Sequence, residues 1–140
     1  MVERNDMRDI IVFAVLSIVV ATGFSAPLEI PGFWLDAEWA GDGILLTGGG
    51  YRGLYYLPPG SSDPETLSID WKAGYRPAVL GDSLIFFSAT PAPDSAMALY
   101  SYNLTTGKSA KPISGNIGPP AATPEGKVAL WAGGKIMVLT

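Results

Sequence analysis

Asp36, Glu38 and Asp42 form the densest acidic group of the chain, and two chemistries draw on such groups. Glycosidases hold two carboxyls about 5–10 Å apart across a cleft. Calcium loops gather more oxygen ligands at tighter spacing. Asp42 has a plainer role, because Gly41-Asp42-Gly43 has counterparts in Gly81-Asp82-Ser83 and Pro124-Glu125-Gly126, and Asp is a turn former. A second motif, Gly48-Gly49-Gly50-Tyr51-Arg52-Gly53, has the glycine content of a phosphate loop. Such a loop leads into a helix whose N-terminus meets the anion. Here LYYL follows, a strand, so the glycines read as a hairpin turn.

Nucleophilic and metal chemistry fail on inventory. The chain has no histidine, so a Ser-His-Asp set has no group to take the proton, and His-ligated zinc and haem are excluded. It has no cysteine either, hence no thiolate chemistry and no disulfide framework. No Ser-x-x-Lys pair occurs. The expectation is a protein that is not an enzyme, with no cofactor and no metal. Trp34, Tyr51 and Arg52 remain as a candidate binding surface, set in loops where aromatic and guanidinium groups serve recognition. Trp39 and Trp131 fall at strand positions and read as core packing. Asn103-Leu104-Thr105 is a glycosylation sequon in a turn.

The elements that position these residues repeat. Asp42, Asp82 and Glu125 lie 40 and 43 residues apart, a period typical of propellers and other repeat arrays. Strands are expected over residues 37–40, 44–47, 54–57 and 66–69; over 77–80, 84–88, 99–102 and 110–113; and over 121–122, 128–131 and 136–139. ILL, LIFF and VALW are continuous apolar runs where a half-exposed strand would alternate. Both faces of those strands must therefore be covered.

Composition agrees. The 140 residues suit one domain, 48% of them hydrophobic and 16% charged, enough for a packed core. Seventeen glycines and 12 prolines suit an all-β chain with many turns. The net charge is −4 and no Lys/Arg cluster stands out in the sequence, which argues against nucleic acid as a partner.

PAATPEGKVALWAGGKIMVLT and AEWAGDGILLT resemble the units of TolB-type β-propellers, WD40-like repeats whose blades open on Pro, Trp, an acidic-Gly turn and an apolar strand. LYSYNLTTGK resembles the strand and turn that follow. The resemblance implies an all-β, propeller-like array of two to three small antiparallel sheets. It covers residues 37–140, in units of about 37–70, 75–114 and 118–140. Known propellers have about four to eight blades, so the units are part of a longer design, an oligomer that completes a ring, or an open stack. Ala37 departs from the family's Pro, and Ser83 from its Gly.

Residues 10–26 (IIVFAVLSIVVATGFSA) carry no charge. As one N-terminal hydrophobic helix they would reach about 25 Å, close to a bilayer core, and their length fits a secretory leader equally. Residues 1–26 are therefore expected to be a signal peptide or membrane anchor, and 27–36 a linker. The expected function is an exported or membrane-tethered, non-catalytic binding or protein-interaction module, extracytoplasmic, with the membrane met through residues 10–26. A truncated propeller domain of a hydrolase and a surface filament subunit are the alternatives. Edge strands would pair with a protein partner or a second copy. Ile136, Met137 and Val138 are the candidate assembly edge, guarded only by Lys135.

Overall fold

The structure, a computed structural model, describes residues 29–140. The expected leader and hydrophobic helix lie outside the described residues. Among the described residues, no helix is long and apolar enough to cross a membrane.

Among the described residues, eleven strands form three antiparallel sheets. Sheet 1 takes β1 (Trp34–Ala40), β2 (Gly43–Gly48), β3 (Leu54–Leu57) and β4 (Glu65–Ser68) in chain order. Sheet 2 repeats this with β5 (Ala78–Leu80), β6 (Leu84–Ala89), β7 (Ala98–Asn103) and β8 (Lys108–Ser114). Sheet 3 has β9 (Ala121–Ala122), β10 (Val128–Ala132) and β11 (Lys135–Leu139), with β11 at an edge. Among the described residues the fold is all-β, and the helix content is one 3₁₀ turn at Gly49–Tyr51. The first strand begins at Trp34, three residues before the expected Ala37, so the end of the expected 27–36 linker belongs to sheet 1.

Each acidic turn joins the first and second strands of its sheet. Ala40 pairs with Gly43, Leu80 with Leu84 and Ala122 with Val128. Gly41 has φ +58°, and a Cβ there would meet the Asp82 carbonyl oxygen at 2.5 Å. The first hairpin thus abuts the second where only glycine fits. Gly133 and Gly134, both at positive φ, form the two-residue turn between β10 and β11, the backbone that suits a hairpin's twist.

The apolar run of β6 serves two neighbours at once. Along β6, Ile85, Phe87 and Ala89 pack with Leu45 and Leu54 of sheet 1. The alternate Phe86 packs with Val128 and Leu130 of sheet 3. Sheet 2 therefore has a leading face, turned toward the preceding sheet, and a trailing face, turned toward the next. Period-2 side-chain alternation does the sorting.

Small hydroxyl residues tie the sheets together. Thr47 donates from Oγ1 to the Gly74 carbonyl at 3.0 Å, and Ser88 donates from Oγ to the Gly118 carbonyl at 2.7 Å. Gly74 and Gly118 lie in the connections to the next sheet, and both hydroxyl residues are buried. Ser88→Ala leaves a shielded carbonyl without its donor and is expected to cost about 1–3 kcal/mol. Urea unfolding measures this, and an unchanged midpoint would contradict the tie.

The tryptophans correct the sequence reading. Trp39 is 72% exposed and Trp131 is 39% exposed, so neither is core. Trp39 lies on the face of sheet 1 turned away from sheet 2 and Trp131 on the face of sheet 3 turned away from sheet 2, where no other sheet packs among the described residues.

Candidate functional site

The β2–β3 turn and the connection between β4 and β5 meet at one end of the molecule. Tyr51 and Tyr75 touch edge to face, with ring centroids 5.0 Å apart. The Arg52 guanidinium sits over the Trp71 ring, 4.9 Å from its centroid, a cation–π contact. Lys72 and Arg76 follow Trp71 and Tyr75 in the chain, and all six residues are exposed. Three of the nine basic residues therefore lie with three aromatics on these two joined segments, which also carry Asp70.

The backbone beneath is held in a costly shape. Tyr51, Lys72 and Arg76 have φ of 59°, 63° and 52°, and among the described residues they are the only non-glycine positions at positive φ. Each costs about 1–2 kcal/mol. Such strain persists where the surroundings over-determine it, and it concentrates at binding sites. The constraints are visible here: Gly53 N–H donates to the Asp70 carbonyl at 3.1 Å, Gly74 N–H to the Tyr51 carbonyl at 3.4 Å, and Tyr75 N–H to the Lys72 carbonyl at 2.8 Å.

Of the three sequence candidates, Tyr51 and Arg52 are brought together in this platform. Trp34 lies in β1, not in a loop. Its ring meets Tyr55 edge to face at 5.2 Å and its Nε1–H donates to the Ile30 carbonyl at 3.3 Å. Trp71, Lys72, Tyr75 and Arg76 escaped the sequence reading. The signal was the interleaving of aromatic and basic residues in WKAGYR, where the Tyr-Arg pair of 51–52 recurs at 75–76.

The other motifs have structural uses. Gly49–Tyr51 is a turn that leads into β3. Asn103 Oδ1 accepts from the N–H groups of Thr105 and Thr106 at 2.9 and 3.1 Å, closing the turn after β7. Ile136 and Val138 are 70% and 52% exposed, and Met137 is 40% exposed, all on the edge strand β11. Asp42 and Asp82 line a cavity of about 350 Å³ between the first and second hairpin tips. Among the described residues, no group of three or more acidic side chains is placed to hold a metal ion.

Asp36 and Glu38 lie two apart on β1, beside Thr47 and Leu45 of β2. Glu38 is exposed to solvent, but partial desolvation, and then the Asp36 charge, raise its carboxyl above its ordinary value of 4.5. A raised folded-state value means that folding favours protonated Glu38. That contribution is fully present below pH 4.5 and is lost as pH rises through the folded-state value. Glu38→Gln is therefore expected to stabilise the chain at pH 7 and to be neutral below pH 4.5. Urea midpoints at both pH values measure this, and equal effects at both would contradict the account.

Comparison of the chain with protein-family models, with curated proteins and with solved structures finds no match.

Proposed function

We propose that this chain is an exported or membrane-tethered, non-catalytic binding module built of propeller-like repeats of the TolB type. Its platform of Tyr51, Arg52, Trp71, Lys72, Tyr75 and Arg76 grips an acidic, aromatic-bearing segment of a protein partner. The carrying observation is the conjunction of exposed aromatics, three cations and strained backbone at one place. Aromatic and guanidinium groups supply most hot-spot energy in protein recognition. Lys72 and Arg76 add the attraction that speeds encounter with an acidic segment. The repeat reading is supported by three sheets whose first hairpins all carry an acidic turn.

A fluorescein-labelled peptide of alternating Glu and Tyr tests the binding. Fluorescence anisotropy is expected to show saturable binding that weakens as salt rises. Binding no tighter than that of a Lys/Tyr peptide of equal length would overturn the proposal. The localisation rests on residues 10–26, whose 17 uncharged residues suit a leader or an anchor. The full chain is expected to fractionate with membranes, and the chain without residues 1–25 to remain in the soluble fraction. A full chain that is soluble and monomeric without detergent would contradict this.

A further inference from the structure

A second surface lies between sheets 1 and 2. Tyr100 and Tyr102 alternate with Ser101 along β7, and pairing sets them beside Phe87 and Ile85 of β6. Ile85 and Phe87 belong to the core that sheet 2 shares with sheet 1, and both tyrosines pack against it. Phe87 and Tyr100 are stacked, with ring centroids 5.6 Å apart and planes 17° from parallel. Phe87 is buried, whereas both tyrosines are half-buried. The end of β4 and the two residues after it join these rings in lining a groove of about 400 Å³.

The lining narrows the ligand. The volume falls in the small-molecule range of about 300–1,000 Å³. Phe87, Tyr100 and Tyr102 supply aromatic surface, and Thr66, Ser68 and Ser109 supply hydroxyls. Asp70 is the one charged residue of the lining, and no Lys or Arg belongs to it. An anion therefore finds no counter-charge there. Ser68 Oγ accepts from the Asp70 N–H at 3.1 Å, which leaves the hydroxyl hydrogen to donate elsewhere. The Asp70 carbonyl accepts from the N–H groups of Gly53 and Ala73 at 3.1 and 3.4 Å. This backbone is fixed before a ligand arrives, which lowers the cost of binding.

We propose that this groove binds a neutral pyranose sugar. A pyranose carries an apolar C–H face and a rim of hydroxyls that both donate and accept. The C–H face matches an aromatic ring, whose π-face is negative. The rim matches the serine and threonine hydroxyls, and a carboxylate accepts two hydroxyl hydrogens at once. An ammonium ligand would use the rings and the Asp70 charge, but it would set the three hydroxyls against methyl or methylene groups. A sugar uses all three kinds of group. The groove shares no residue with the Tyr51–Arg76 platform, so the proposal goes beyond the peptide-binding reading and stands without it.

Methyl glycosides of glucose, galactose and mannose are titrated into the isotope-labelled full-length chain in mild detergent, beside choline and glucuronate. Amide spectra are expected to show saturable, millimolar binding of at least one glycoside, with shifts at residues 66–70, 100–102 and 109. Choline and glucuronate should bind more weakly. Tyr100→Leu should weaken glycoside binding at least about fivefold. Tyr100 packs against the core, so Ser109→Trp, at an exposed position, carries the test should Tyr100→Leu unfold. The new indole fills the groove and should abolish glycoside binding while leaving Glu/Tyr peptide binding intact. Three results would overturn the proposal: no glycoside binds, choline or glucuronate binds as tightly, or a folded variant keeps full glycoside affinity. Peptide binding by a parent chain that takes no glycoside sinks the groove alone.

Discussion

Ile85→Ala is expected to lower stability by about 2–5 kcal/mol. Ile85 is completely buried, at the second position of β6, and it packs among Leu45, Leu54 and Phe87 where sheet 2 meets sheet 1. Truncation removes the transfer free energy of three carbons and leaves a void that two sheets, held by their own ladders, cannot fully close. The midpoint of thermal unfolding should fall by at least about 10 °C. Ile136→Ala is the control: the same chemistry on an exposed face should change stability by no more than about 0.5 kcal/mol, measured at concentrations where the chain is monomeric. Equal losses at both positions would mean that the continuous apolar runs are not shared between sheets as described.

The second large effect falls on binding. Trp71→Ala removes both an exposed aromatic face and the surface on which Arg52 rests, so the guanidinium loses its orientation together with its neighbour. The affinity for the Glu/Tyr peptide should fall at least about tenfold, the range of an aromatic hot spot. Arg52→Lys should also fall, because an ammonium keeps the charge but lacks the planar group that stacks and bonds in a fork. Lys72→Ala should act mainly by reducing the salt dependence of binding. Circular dichroism should be unchanged in all three, since these side chains are exposed. Full affinity in Trp71→Ala would remove the platform from the account.

The all-β class and the three sheets were legible because strand and turn signals agree locally. LIFF announces coverage of both faces and β6 has it, whereas the same kind of run in VALW does not, since Trp131 is 39% exposed; the acidic turns mark where each sheet begins. Thr47 and Ser88 were harder to read. A lone hydroxyl after two large apolar residues is visible in LLTG and FFSA, but its acceptor lies 27 or 30 residues away, in a connection without a motif. The two tryptophans misled for a definite reason. Trp39 and Trp131 occupy strand positions whose counterparts in sheet 2, Val79 and Ser88, are half-buried and buried, and exposure depends on the packing of a neighbouring sheet, not on local pattern. Trp34 shifted from loop to strand because the Pro31-Gly32 breaker ends just before it, and β1 carries a register shift between Trp34 and Asp36. The platform was half legible: Tyr51 and Arg52 stood out beside three glycines, but their partners lie beyond residues 53–70 in the chain and arrive by way of the Gly53–Asp70 and Gly74–Tyr51 backbone bonds.

The most direct test of the binding reading is a map of where the peptide lands. Backbone amide spectra of the isotope-labelled chain, recorded during titration with the Glu/Tyr peptide, should show the largest shifts at residues 51–53 and 70–76. Shifts at the hairpin tips around Asp42 and Asp82 should be small. Perturbation centred instead on the cavity between those tips, or spread evenly over the three sheets, would contradict the assignment of the platform as the binding site.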